Sequence, residues 1–398
     1  MISSRFKESN YKRRLVIGID ASSLRQGGGR THLIELLLAF NPDEYGVERV
    51  IVWGGSDTLI ILSDKSWLEK RNPPLLDGHL WQRSLWQCFY FAKEAREAGV
   101  DILFVPGGSY VGNYHPVVTM SQNMLPFEWE ELSRYGWSRT TLKLLLLRVM
   151  QSQSFQKSDG VIFLSDYART GVEKVVGKIP GLIVNIPHGV KSQFINIPSI
   201  EHSIDDYSEL KPFRLLYVSI IDKYKHQWKV VEAVAQVRRK TGWPLTLDLV
   251  GPAYQPALKQ LRVSMQEYDP NGKWVCYHGA FEYSKVHDIY EKADMAVWAS
   301  SCETFGIILL EYMAAGLPIA SSDRGPMPEI LGDAGIYFDP ENSESIANSL
   351  ICLIGSNKMR SLLAKKAYEK AQKYSWGSCA KETFGFLVDV YNRYHGNP

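Results

Sequence analysis

Runs of three to five consecutive apolar residues, separated by longer stretches with helical spacing, set the rhythm of this chain. Leu15–Ile19, Val50–Val52, Ile102–Val105, Pro116–Val118, Val161–Leu164 and Ile183–Ile186 form a first series. Apolar residues that run continuously, rather than alternating with polar ones, are what strands buried on both faces carry. Between the first two runs, Leu33, Leu36, Leu37 and Leu38 repeat with the period of a helix. The stretch from Lys191 to Pro212 breaks the rhythm with Pro198, Ser199, Ser203, Asp205, Asp206 and Ser208, and reads as a linker. A second series follows: Leu215–Val218, Leu247–Val250, Val275–Tyr277, Met295–Trp298, Pro318–Ala320 and Gly335–Tyr337. The pattern predicts an α/β protein of two doubly wound, Rossmann-like domains, 1–197 and 213–375, joined by a linker at 198–212. Residues 376–398 are expected to form a helix that crosses back to the front domain. Ligands of such sheets lie at the carboxyl ends of the strands, so the cleft between the two domains is the expected site.

Composition narrows the class. At 398 residues the chain is long for one core and sufficient for two. A net charge of +2 excludes the strong positive field of a nucleic-acid binder. The five cysteines, Cys88, Cys276, Cys302, Cys352 and Cys379, are odd in number and form no C-x-x-C pair, which argues against a disulfide framework or a zinc site. No apolar run reaches the length of a spanning helix, and the first fourteen residues lack an apolar signal core. The expectation is a cytoplasmic protein whose membrane contact, if any, is peripheral at the inner face.

The densest chemistry lies in Ser300–Glu311. A strand ending at Ala299 is followed by a turn, and a helix is expected to start near Thr304 or Phe305 with Thr304 as its N-cap. Gly306 in the first turn gives close backbone access. Free N–H groups and the helix dipole there suit a diphosphate. Glu303 can reach sugar hydroxyls, and Glu311 can accept from a ribose diol. The bland alternative is a helix start carrying one ordinary acid and one at a buried edge. An acid inside Leu309-Leu310-Glu311-Tyr312-Met313 is unusual enough on a core-facing helix to favour the functional reading.

Glu303 and Glu311 are separated by seven residues. Ala314–Ile319, Ser321-Ser322-Asp323, Pro328-Glu329 and Asp333-Ala334-Gly335 follow in order. This run resembles the second-domain signature of the family-four retaining glycosyltransferases. The resemblance implies the GT-B fold, with the two domains facing across a cleft, and transfer of a hexosyl unit from a nucleotide sugar to a glycan or a lipid-linked saccharide in cell-surface polysaccharide synthesis. It implies Glu303 and Lys225 as catalytic residues. Gly28, Gly29, Ser219, Lys223, Lys225, Glu303, Thr304, Phe305, Gly306, Ile307 and Glu311 are implied to contact the donor. No metal or cofactor is implied, because the nucleotide sugar is a substrate. There are departures. Ser219 replaces the family's glycine and Ile220 its arginine, which leaves Lys225 without its usual cationic companion; Lys223, Arg324 or a front-domain basic residue is the candidate replacement. Gln122-Asn123 stand where many members have His-Asp. These two are implied to face the reacting sugar, where they can hydrogen-bond but cannot take a proton. His188 in Pro187-His188-Gly189 reads as a structural turn residue. No front-domain carboxylate poised for proton transfer is evident.

Residues 132–158 carry Arg134, Arg139, Lys143, Arg148 and Lys157 beside Tyr135, Trp137, Leu142 and Leu144–Leu147, with no acid. Trp67, Trp81, Trp86 and Phe89 add aromatics upstream. The mixture suits either a core helix with basic solvent positions or an interfacial helix on a membrane. The competing functions are a non-catalytic nucleotide-sugar-binding or regulatory protein, and a nucleotide-sugar epimerase or hydrolase.

Overall fold

The computed structural model describes residues 14–25, 27–281 and 286–396. Thirteen strands are described: β1 (Leu15–Asp20), β2 (Val47–Trp53), β3 (Leu68–Arg71), β4 (Ile102–Val105), β5 (Val117–Met120), β6 (Gly160–Phe163), β7 (Leu182–Asn185), β8 (Phe213–Val218), β9 (Leu245–Val250), β10 (Val275–Tyr277), β11 (Met295–Trp298), β12 (Ile319–Ser322) and β13 (Ile336–Phe338). They form two parallel sheets, ordered β3-β2-β1-β4-β5-β6-β7 and β10-β9-β8-β11-β12-β13. Each sheet winds outward in both directions from its centre. The switch points, where a doubly wound sheet opens a crevice, are β1/β4 in the front domain and β8/β11 in the second.

The apolar runs became the central strands because both faces are covered: every residue of β4, β5, β6, β11 and β12 is buried. β3 was not predicted. Its sequence, Leu-Glu-Lys-Arg, lies at a sheet edge where all four residues are half-buried, so no apolar run marks it.

The polar segment near residue 200 is tied to the second domain. The Asn196 amide donates to the Ala314 carbonyl at 3.0 Å. Arg360 is fully buried; its Nε donates to Glu201 at 2.7 Å, and the guanidinium also reaches the His202 carbonyl. The final helix, Trp376–Tyr394, lies on the front domain. Phe384 stacks on Phe40, and a side chain added at Gly160 of β6 would collide with Val390 and Phe386.

The two domains also meet across the cleft. Ser165 Oγ donates to the Thr304 carbonyl at 2.6 Å. Glu329 accepts from the amides of Asp166 and Tyr167 at 2.9 and 3.0 Å, so an acid of the second domain caps the front-domain helix Asp166–Val176 at its positive end.

Candidate active site

After β8 the chain must turn sharply. Asp222 accepts from the Lys223 amide at 2.7 Å and opens a single 3-10 turn, Lys223–Lys225. His226 then takes a left-handed conformation, φ 51°, before the helix Gln227–Thr241. The turn folds Lys225 back into the β8/β11 crevice, where the residue is 4% exposed. Its Nζ lies 4.4 Å from the centre of the Trp298 ring and forms an ion pair with Glu303. A buried ammonium is tolerable only with such a partner.

Glu303 comes from the loop after β11. The helix that follows, Ile307–Ala314, starts later than the sequence suggested, and its N-cap is Gly306, not Thr304. Gly306 has φ 88°, a left-handed turn that a side chain would strain. Thr304 cannot cap because its hydroxyl points to the front domain, 3.5 Å from the Gln122 carbonyl. No side chain caps this helix and no acid lies in its first turn, so the N–H groups of its first turn, ahead of Leu310, suit an anion. Phe305 is buried, edge-on to His188 and Tyr374.

Several predicted contacts are directed elsewhere. Glu311 is 1% exposed and accepts from the Tyr290 hydroxyl at 2.7 Å, so a ribose would have to share it with Tyr290. Lys223 Nζ donates to the Arg134 carbonyl and lies over the Tyr135 ring, which commits it to the domain contact. Arg324 pairs with Asp323 and Asp339. Ser219 Oγ donates to the Ile220 carbonyl and accepts from Gln227. Lys223 and Arg324, the two second-domain candidates to replace the family's arginine, are thus both engaged elsewhere, and Ile220, 38% exposed, stands in its place.

Across the cleft, Gly28 and Gly29 are the first residues of the helix Gly28–Ala39 rather than loop; only Gly27, the N-cap at φ 73°, is outside it. Space around Gly28 is open, whereas a side chain on Gly29 would come within 3.1 Å of Gln122 Oε1. Gln122 thus lies against both the glycine turn and the loop that carries Thr304. Asn123 Oδ1 accepts from the Leu125 amide at 3.1 Å and shapes its own turn. His188 is buried and shares a 3.0 Å hydrogen bond between Nδ1 atoms with His32. Burial holds it well below the usual histidine pKa, as a structural residue.

Residues 132–158 divide. Arg134 and Tyr135 belong to the domain contact: Arg134 bonds Glu131 and Glu341, and Tyr135 donates to Asp222 at 2.8 Å. Arg148 donates to the Pro126 carbonyl. Arg139, Leu142, Lys143, Leu146 and Val149 share an exposed stripe of the helix Arg139–Lys157. Of the upstream aromatics, Trp81 and Phe89 are exposed but Trp86 is buried against Phe91.

One group was missed. Glu128 of the front domain accepts from the Tyr167 hydroxyl at 2.5 Å, and burial, with nearby Glu131, Glu130 and Glu303, pushes its carboxyl up to about 7. It is a partly buried front-domain carboxyl that the sequence reading did not single out. Nothing in Phe127-Glu128-Trp129 marked it; the burial that raises it exists only in the folded chain, and the Tyr167 hydrogen bond works against the shift. Among the described residues no group of three or more His, Cys, Asp or Glu is arranged to hold a metal ion, and no helix is long and apolar enough to cross a membrane.

A model of the family described as glycosyl transferases group 1 matches residues 201–370, the stretch that carries Lys225, Glu303 and Glu311. The match covers the second domain only. O-antigen chain mannosyltransferase B of Escherichia coli is 22% identical over 233 residues, 58% of this chain and 61% of that one. The chain thus spans less than two thirds of that relative's length. Sucrose-phosphate synthase from Thermosynechococcus elongatus superposes with a TM-score of 0.75 at 17% identity, over 96% of this chain and 100% of that one. Anabaena HepE, solved in complex with UDP-glucose, superposes at 0.70 and 18% identity, over 94% and 100%. At such identities the likeness is one of fold, and it gives this chain the GT-B fold.

Proposed function

We propose that this protein is a retaining glycosyltransferase that moves a hexosyl unit from a nucleotide sugar to a glycan or lipid-linked saccharide, in cell-surface polysaccharide synthesis. The observation that carries the reading is the Lys225–Glu303 pair at the β8/β11 switch point, beside an uncapped helix N-terminus and opposite Gln122 and Gly29. The donor diphosphate would lie on the N–H groups of the helix Ile307–Ala314 and on Lys225. As the bond from the sugar carbon to the diphosphate oxygen breaks, negative charge grows on that oxygen. A preorganised ammonium lowers the barrier by interacting more strongly with that charge than with the bound donor. Glu303 would then hold sugar hydroxyls. The acceptor hydroxyl attacks from the face the leaving group vacates and passes its proton to the departing phosphate, which gives retention without a protein base at Gln122 or Asn123. Lysine and backbone N–H groups supply the positive charge, so no divalent ion is required in this reading. The relationship to an O-antigen mannosyltransferase supports a role in surface glycans, and the exposed basic and apolar stripe from Arg139 to Val149 supports peripheral contact with the membrane.

A nucleotide-sugar hydrolase or epimerase of the same fold is the second reading, favoured by Glu128, a carboxyl near Glu303 able to exchange a proton near neutral pH. Incubation of the purified chain with a panel of nucleotide sugars, with and without saccharide acceptors, separates the two. Glycosidic product of unchanged anomeric configuration, formed in chelator and lost in Glu303→Ala, supports transfer. Free sugar or an epimerised nucleotide sugar as the sole product, unaffected by acceptor, would overturn it.

A further inference from the structure

Trp298 is the last residue of the buried strand β11 and is 1% exposed. Its indole Nε1–H is buried and meets no acceptor among the described residues. A buried donor left unpaired costs stability, and a leucine or phenylalanine would fill the end of an apolar strand without it. Packing alone does not call for tryptophan here. What the ring does meet is an ammonium. Lys225 Nζ lies 4.4 Å from the ring centre, well within reach of a cation–π contact, and indole is the aromatic face that holds a cation best. The ring is itself held edge-on by Tyr217 at 5.6 Å and by Tyr312 at 6.1 Å. Both tyrosines are anchored. The Tyr217 hydroxyl donates to the Lys225 carbonyl at 2.6 Å, and the Tyr312 hydroxyl accepts from the Val218 amide at 2.6 Å. Tyr224, the residue before the lysine, offers a second face at 4.9 Å. Backbone and ammonium of Lys225 are thus both fixed to one aromatic block, built from β8, β11 and the helix Ile307–Ala314.

Glu303 and Trp298 hold the ammonium in different ways. Glu303 brings a full negative charge, which offsets that of the lysine, and in the proposed reaction it is shared with sugar hydroxyls once a donor is bound. Trp298 has no net charge. Its ring quadrupole attracts the ammonium and leaves the positive charge undiminished for a diphosphate. A buried ammonium whose carboxylate partner turns to a substrate needs a second holder that does not neutralise it. The need is greater here because Ile220 stands where the family's arginine would share the task, and Lys223 and Arg324 are engaged elsewhere.

We propose that Trp298 is the positioning residue for Lys225, the face that keeps its ammonium at the leaving-group oxygen in place of a second cation. This rests on the glycosyl-transfer reading and adds a residue to its machinery. The test is a double-mutant cycle on the full chain, with kcat, donor Kd and urea melts taken from the same preparations. Trp298→Leu lowers kcat by about tenfold or more, the loss of a desolvated cation–π contact, and shifts donor Kd by less than about threefold. Trp298→Phe keeps a face, discards the unpaired N–H and recovers most of the loss. In the Lys225→Ala background, Trp298→Leu lowers kcat by less than about twofold further, because the group it positions is gone. A further loss as large as in the parent would assign Trp298 to packing of the whole crevice and overturn the proposal. So would an unchanged kcat in Trp298→Leu, or a folded Trp298→Phe no more active than Trp298→Leu. If Trp298→Leu melts too early to assay, Trp298→Met, longer and still without a ring face, takes its place in the cycle. The two levels fail differently. Full turnover in Lys225→Ala would overturn the leaving-group role of the lysine and this proposal with it, whereas loss in Lys225→Ala with none in Trp298→Leu overturns the positioning alone.

Discussion

Arg134 of the front domain holds Glu341 of the second through hydrogen bonds of 2.8 and 2.6 Å, while its Nε bonds Glu131 on its own domain. One guanidinium thus bridges the cleft, and Tyr135 to Asp222 runs beside it. The pair is only partly shielded, with side-chain exposures of 22 and 40%, so its worth is modest. A double-mutant cycle of Arg134→Ala and Glu341→Ala should give a coupling of about 1 kcal/mol in denaturant melts. Arg134→Ala should also raise the radius of gyration in solution scattering as the domains part. No coupling and no expansion would show the contact to be incidental.

Lys225 should matter to turnover more than to affinity. With Ile220 in the usual arginine position, the proposed mechanism leaves it to meet the leaving-group charge without a second cation from its own turn. Lys225→Ala should lower kcat by the equivalent of about 2.7–4 kcal/mol, with a smaller change in donor Kd. Lys225→Arg should recover little, because the fork is longer and differently shaped. Turnover and donor binding measured on the same preparations decide; unchanged kcat at saturating donor would remove Lys225 from the chemistry.

Glu128 links stability to pH. Its folded carboxyl titrates at about 7 against an ordinary value of 4.5. Between those values the folded state binds the proton more tightly than the unfolded state, so stability falls as pH rises through the window, and the full cost is present above about 7. Glu128→Gln should therefore be more stable than the parent at pH 8, by up to about 3 kcal/mol, and equal to it at pH 4. Urea melts at the two pH values check this; the same difference at both would refute the shift.

The stripe from Arg139 to Val149 predicts membrane association. Arg139→Glu with Lys143→Glu should release the protein from vesicles containing anionic lipid at low salt, since each cation near such a surface is worth about 1 kcal/mol. Sedimentation with vesicles is the assay, and a parent protein that stays in the supernatant would reduce the stripe to an ordinary helix face.

The alternation of apolar runs with helical spacing determined the two parallel sheets, because a strand covered on both faces must be apolar throughout, and β3 escaped because an edge strand need not be. The run from Glu303 to Gly335 likewise identified the second domain, since its glycines, acids and small residues are required locally by one turn and one helix start. Lys225 was legible from its place after β8, but not its partner: the ion pair exists because β8 and β11, 77 residues apart at Val218 and Met295, are neighbours in the sheet. Side chains that bond beyond their own segment were decided only by tertiary structure. Lys223 and Arg134 are ordinary basic residues in sequence, and become a domain clasp because the cleft closes on them. Glu128 owes its raised carboxyl to burial in the folded chain, which outweighs the opposing hydrogen bond from Tyr167, and Arg83 meets the Ser22 carbonyl only across the fold. Local pattern encodes what each segment buries; electrostatics depends on distances and solvent exclusion between segments, which exist only once the chain has folded.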